Sequence, residues 1–594
     1  MAFGHATFPR GEGLGMSNFR KGERRIMILS AIQHSGTQRD CFCLEPGRFL
    51  IRLRSAKGDL AEVTLHHQDK YLPLKFADTR AEVPMRLLTS DSTLDYWEAE
   101  ITMDLVCLRY WFELKDTAGR SMYYSNFRFS PAPFTDIDDM FDCPQNLREE
   151  ERFVTPRWAE NKVVYQVFPS RFASSAHVPE AQWYKAPVTF RDDLHGNLRG
   201  IIDHLDHLKS LGADILYMTP IFRSDSCHKY DTIDYYTVEP SFGTKADLKE
   251  LVEKAHSLGL RVILDGVFNH TSREFFAFAD IVKNGRDSQY LDWYFIQGFP
   301  LRANWGEKPN YKTFSYFGGM PKLNVKNPAV ARYILDVALY WLRECGIDGW
   351  RLDVGDEIGH AFWKQFRREI KAEFPEALIV GEVWHYAEDF LQGDEWDTVM
   401  NYPFYQNLLG LTAKGTRTVS EFGENLGFLQ GQYHPKVLPL LWNLADSHDT
   451  PRLLHHCGGD KRRMKLAAAL QLLLPGMPMI YYGDEYAIEG GQDPDCRRGM
   501  LWDPKRQDGD MFRWYQAVIR ARKSCPELLE RSAETISDDT RELFARVNGN
   551  TAALFHCGEG ELSLPEWAGV EDLLTGKPFS GKLGSFGCAV LKRK

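Results

Sequence analysis

Four short acid-bearing segments, in fixed order, constrain this chain more than anything else in it. They are Asp265-Gly266-Val267-Phe268-Asn269-His270, Gly349-Trp350-Arg351-Leu352-Asp353, Gly381-Glu382-Val383-Trp384 and Ser447-His448-Asp449. Each follows an apolar run with the composition of a buried parallel strand. Carboxylates at the ends of successive strands are what a barrel enzyme needs to cleave a glycosidic bond.

The surrounding pattern predicts an α/β fold, a (β/α)8 TIM barrel over residues 161–531. Its strands are expected at 163–168, 215–219, 262–267, 349–353, 378–383, 398–401, 438–445 and 478–482, with helices at 202–211, 245–258 and 329–345. The insertion after the third strand, about 271–324, is rich in aromatics, Gly and polar residues, and reads as a small lobe over the barrel mouth. Residues 24–135 alternate in short strand-like runs at 25–29, 48–54, 61–66, 97–103, 107–114 and 121–128, which predicts an N-terminal β-sandwich. Residues 1–23 read as a tail and the Pro- and Asp-rich 136–160 as a linker. The helices end near 532, and runs at 543–547, 551–556, 561–564 and 588–591 predict a C-terminal β-sandwich over 532–594.

Net charge is −10 with no long run of one sign, which argues against nucleic acid or an anionic membrane as the main partner. No stretch approaches the roughly 18 apolar residues of a membrane span. The first residues lack the apolar core of a secretory signal. The 11 cysteines are scattered without zinc-site spacing, so reduced thiols in a cytoplasmic protein are expected. Aromatics reach 13%, which suits sugar stacking, although large cores account for the figure equally well.

Cleavage through a covalent intermediate needs two carboxyls about 5–5.5 Å apart, one ionised to attack the anomeric carbon and one protonated to assist departure. Asp353 and Glu382 end the expected fourth and fifth strands, and neighbouring strands lie about 4.8 Å apart. Arg351, two residues before Asp353 on the same strand face, keeps a nucleophile ionised. Asp449 supplies a third carboxylate to hold hydroxyls and stabilise an oxocarbenium-like transition state. His270 and His448 are candidate donors to sugar hydroxyls, and Asp265 reads as an internal partner of Arg351.

Together these segments resemble the α-amylase family of glycoside hydrolases. Met320-Pro321-Lys322-Leu323-Asn324 looks like the fingerprint of the branch containing neopullulanases, cyclomaltodextrinases and maltogenic amylases. Residues 164–172, His228-Lys229-Tyr230-Asp231-Thr232 and the segment from Gly491 to Arg498 match as well. The resemblance implies that Asp353 is the nucleophile, Glu382 the general acid/base and Asp449 the transition-state stabiliser. It implies that Arg351, His270 and His448 grip the sugar at the cleaved position and that Tyr230 stacks under it. Asp493 and Arg497 would hold the next sugar on the non-reducing side, and Trp384 and Glu357 would line the leaving-group side.

Two departures stand out. Gly355-Asp356-Glu357 replaces the usual Ala-Asn-Glu, adding a charge that bears on acceptor binding and linkage preference. Residues 173–177 lack the carboxylates of a calcium loop, so no cofactor is required and calcium is not supported. The expected function is a retaining α-glucan hydrolase cleaving α-1,4 links, with α-1,6 links as a further target, in cyclomaltodextrins, malto-oligosaccharides or pullulan, with transglycosylation as a side reaction. The alternatives are an enzyme mainly transferring glycosyl groups and a non-catalytic glucan-binding protein. The partners expected are a small α-glucan or cyclodextrin and a second copy of the chain, paired through the N-terminal domain.

Overall fold

The computed structural model describes residues 27–71, 80–134, 139–304 and 306–593. The tail expected at 1–23 lies outside them, as do residues 25 and 26 of the first expected strand. Beyond those two, Leu29–Ala31 forms a single 3-10 turn rather than a strand.

The N-terminal domain is an antiparallel sheet that folds over on itself. Its strands run in the order Cys41–Glu45, Arg48–Ala56, Leu94–Thr102, Ala81–Ser90, Leu60–Asp69, Cys107–Asp116, Ser121–Tyr124 and Phe129–Ser130. Phe49, Ile51 and Leu53 from one half meet Leu65, Tyr110 and Phe112 from the other in one core. Ala81–Ser90 is a further strand beyond those expected, and it accommodates Pro84, which has no ladder donor. The segment expected as a linker at 136–160 is partly domain structure. Phe141–Pro144 pairs with Cys107–Asp116, and helix Gln145–Glu150 follows it.

Eight parallel strands close the barrel: Val164–Val167, Ile215–Met218, Arg261–Gly266, Gly349–Leu352, Leu378–Val383, Thr398–Asn401, Trp442–Leu444 and Met477–Tyr481. Each is buried throughout apart from Arg261 at the start of the third strand, so apolar runs rather than alternation mark them in the sequence. The seventh strand is shorter than expected. Pro439 has no N–H for a ladder, and Leu438–Leu440 is a 3-10 turn. The helix expected at 202–211 divides at His204 into Leu198–Asp203 and Leu205–Leu211. Local signals fix other helices well. Thr244 and Asp247 make a capping box at the start of Lys245–Ser257. Asn327 caps Pro328–Cys345, which ends on Gly346 at φ 68°.

The C-terminal domain pairs Glu534–Asp538, Leu543–Asn548, Thr551–His556 and Cys588–Lys592 around Leu554, Leu583 and Leu591. The expected run at 561–564 reduces to Leu562–Ser563, paired with Lys582–Leu583. The N-terminal domain meets the barrel unit at a buried ion cluster, where Glu98 Oε1 lies 2.7 Å from Arg52 and 2.6 Å from Arg531. Beside it the N-terminal sheet packs on helix Val419–Gln432, where Gly427 and Gly431 leave room for Ser90 and Tyr96. No helix among the described residues is long and apolar enough to cross a membrane.

Candidate active site

The third and fourth barrel strands pair with Asp265 level with Arg351. Arg351 Nη1 lies 3.0 Å from both Asp265 oxygens and 3.0 Å from Asp353 Oδ1. Its Nη2 lies 2.8 Å from Glu382 Oε1. The two carboxyls predicted to do the chemistry are therefore held by the two ends of one fully buried guanidinium. Tyr217 and Tyr230 hydroxyls donate to Asp265 Oδ2 at 2.7 and 3.0 Å.

One cation facing three carboxylates leaves an excess of buried negative charge, which favours protonation. Burial pushes Asp265 up to about 6 against the pull of Arg351. Burial, and then the Glu382 charge, pushes the Asp353 carboxyl well above the usual carboxylate range. Glu382 meanwhile is ion-paired with Arg351 and accepts from Trp384 Nε1 at 3.1 Å and from the Val354 N–H at 2.9 Å. Val354 directs its N–H at Glu382 from φ 47°, a conformation costly for a β-branched residue and characteristic of functional sites.

A second network runs through Tyr230 and the segment after the seventh strand. Gln166 Nε2 donates to His448 Nδ1 at 2.8 Å, so the ring proton sits on Nε2. That nitrogen is 2.6 Å from the Tyr230 hydroxyl and 3.2 Å from Asp449 Oδ2. Burial and the nearby Arg497 push His448 well below the usual imidazole range, and burial pushes His270 down to about 3. Both rings are therefore neutral hydrogen-bond partners at neutral pH. Arg497 reaches the His448 carbonyl at 2.8 Å, Asp449 Oδ1 at 3.3 Å and Asp493 Oδ1 at 2.9 Å. Lys229, at φ 64°, anchors the turn that carries Tyr230 by donating to the Ser224 carbonyl at 2.8 Å.

These networks border a cavity of about 420 Å³, in the range of small-molecule sites. Asp353, Glu382, Asp449, Tyr230, His270, Trp384, Asp493 and Arg497 all line it, so eight of the residues singled out from the sequence converge. Three do not reach it. Arg351 and His448 are fully buried behind the lining, where they hold Asp353, Glu382, Tyr230 and Asp449 in place. Glu357 turns aside to accept from Asn269 at 3.1 Å and pairs with Lys322 at 3.5 Å. Asp356 lines the cavity in its stead, 3.4 Å from His385. Sequence reasoning also missed His228, Phe190, Phe314 and Met320 on the wall. His228 and Met320 lay inside recognised motifs, whereas nothing in the sequence marked Phe190. Among the described residues no cluster of three or more His, Cys, Asp or Glu is arranged to hold a metal ion.

The chain is similar to several known proteins. Residues 166–541 match the model of the alpha amylase catalytic domain, and residues 27–145 that of the alpha amylase N-terminal ig-like domain. A cyclomaltodextrinase of Geobacillus thermopakistaniensis (strain MAS1) is 40% identical over 572 residues, covering 94% of this chain and 96% of that one. Neopullulanase 2 of Thermoactinomyces vulgaris is 38% identical over 580 residues, covering 94% of this chain and 97% of its own length. A solved cyclomaltodextrinase superposes with a TM-score of 0.88 at 36% identity, covering 95% of this chain and all of that one. The chain belongs to the alpha-amylase family of glycoside hydrolases.

Proposed function

We propose that the protein is a retaining α-glucan hydrolase acting on cyclomaltodextrins, short malto-oligosaccharides or pullulan. The observation that carries this reading is the shared hold of Arg351 on Asp353 and Glu382, both facing one cavity. The names of the similar proteins, cyclomaltodextrinase and neopullulanase, supply the substrate class.

In this mechanism Asp353 attacks the anomeric carbon while Glu382 protonates the departing glycosidic oxygen. Glu382, now a carboxylate, then takes a proton from water, whose oxygen displaces Asp353 and keeps the original anomeric configuration. A sugar hydroxyl in place of water gives transfer instead. The first step needs a proton on the Glu382 carboxyl, which faces the cavity. Asp449, gripped by Arg497, is the third carboxyl group placed beside the developing oxocarbenium. Neutral His270 offers a hydrogen bond without adding positive charge next to it.

Asp353→Asn and Glu382→Gln test the assignment on β-cyclodextrin and pullulan. Each should lower the rate by at least about 10²–10⁴-fold, the usual contribution of such groups. Full activity in either variant would reject it.

A homodimer in a reducing compartment is part of the same proposal. Among the described residues the chain's own N-terminal domain contributes none to the cavity lining, which suits a partner's domain at the mouth. All 11 cysteines are free thiols, as suits the cytoplasm. Light scattering should give twice the 68.4 kDa chain mass at micromolar protein. A monomer would remove the dimer from the proposal.

A further inference from the structure

We infer that Phe190 is a substrate-gripping residue, its ring forming the apolar wall on which one glucose unit of a bound glucan lies at the cavity mouth. The inference rests on the glucan reading above and assigns a role to a residue that no motif covers.

Phe190 is 54% exposed, although burying a phenylalanine is worth roughly 1.5–3 kcal/mol. Among the described residues it is packed into none of the hydrophobic cores. The ring therefore gives the fold little, yet it lines the same cavity as Asp353, Glu382 and Asp449.

Its position is fixed by polar anchors on both sides. Thr189 donates to Asp192 Oδ2 from its N–H at 2.7 Å and its hydroxyl at 2.9 Å, and Lys185 reaches Asp192 Oδ1 at 2.5 Å. The buried Arg171 donates to the Asp192 carbonyl. On the other side the Val188 N–H donates to Asp495 Oδ1 at 3.1 Å, and the Val188 side chain is buried. Asp495 lies between Asp493 and Arg497 in sequence, so the ring is tied to the segment that grips Asp449. A turn braced in this way holds its exposed ring in one place.

The chemistry of the cavity says what the ring is for. Asp353, Glu382, Asp449 and Arg497 offer hydrogen bonds and charge, whereas Phe190 offers only an aromatic face. A glucose ring is amphiphilic in the same way, with hydroxyls at its rim and C–H bonds on its faces. A sugar with its hydroxyls on the polar floor presents a C–H face to an aromatic wall.

Steady-state kinetics on β-cyclodextrin with Phe190→Ala, Phe190→Leu and Phe190→Trp tests this. The Ala variant should raise KM about tenfold, with a smaller fall in kcat, because the contact holds ground state and transition state alike. Leu should fall between Ala and the parent, and Trp should restore KM to within about twofold, which a merely structural role would not produce. KM unchanged in the Ala and Leu variants would overturn the inference. Unchanged KM with loss of the dimer would overturn it too, the ring then serving a second copy of the chain. A parent protein that releases no reducing sugar from any glucan would count against the glucan reading itself. An active parent whose KM ignores position 190 counts against Phe190 alone.

Discussion

Asp265 and Arg351 are register partners on adjacent strands of the barrel, and one guanidinium nitrogen sits 3.0 Å from both oxygens of the carboxylate. This pair lies beneath the reacting groups. By accepting from Arg351 Nη1, Asp265 fixes the orientation of the guanidinium, which hydrogen-bonds Asp353 through the same nitrogen and pairs with Glu382 through Nη2. Its charge is also one of the influences that raise Asp353.

Asp265→Asn therefore has a signed effect on pH dependence. Removing that charge frees Arg351 to act more strongly on Asp353, and the Asp353 carboxyl falls. The acid limb of kcat/KM, where the nucleophile must ionise, should move to lower pH while the maximal rate drops through misplacement of the guanidinium. Initial rates from pH 4 to 8 check this. A limb that stays put or moves up would contradict it.

Gly381→Ala should abolish most activity without any change in charge. A Cβ there would meet the Trp396 ring at 2.2 Å, so either the strand or the indole must shift. The next residue is Glu382, and misplacement by about 1 Å can cost about 10²-fold. Activity assay and thermal unfolding should both register it. Parental activity would show that the contact relaxes away from Glu382.

Asp397 is a stability element with a definite pH signature. Burial alone would raise its carboxyl, but Lys371 and Arg367, each 2.8 Å away, hold it below the usual range. A depressed folded-state value contributes stability above the unfolded value of about 3.9 and loses it as pH falls through the folded one. Asp397→Asn should cost roughly 3–5 kcal/mol at pH 7, because two cations lose their partner. The gap between variant and parent should narrow near pH 3. Urea unfolding at both pH values measures it.

Glu98→Gln should loosen the junction between the N-terminal domain and the barrel unit. Arg52 and Arg531 would remain largely buried without their shared anion, a loss of roughly 3–5 kcal/mol. Calorimetry should show the parent's unfolding divide into separate transitions, and limited proteolysis should release the N-terminal domain. One unchanged transition would mean that the Val419–Gln432 contact suffices alone.

Much of the fold and the site was legible in the sequence because barrel strands are short, buried and mostly apolar, with their functional residues at or near their ends. Gly349-Trp350-Arg351-Leu352-Asp353 carries its strand, its guanidinium and its carboxyl in five consecutive positions, so local order already implies spatial order. Helix ends were legible for a similar reason, since Asn327, Pro328 and Gly346 act on backbone groups within one turn. The strand Phe141–Pro144 was not legible. Pro- and Asp-rich surroundings look like a linker, and only its partner Cys107–Asp116 makes it part of a sheet.

What the sequence determined by itself is therefore the set of acids, the order in which the strands present them and the family they belong to. Tertiary structure alone decided which side chains face the cavity. Glu357 and Asp356 are neighbours with the same charge, but Lys322 and Asn269, from a distant lobe and strand end, draw Glu357 aside and leave Asp356 on the wall. Phe190 entered the site because anchors at Asp192 and Asp495 hold an otherwise unremarkable turn over the mouth. Such choices turn on hydrogen bonds and ion pairs between segments remote in the chain, and those partners do not exist until the barrel has closed.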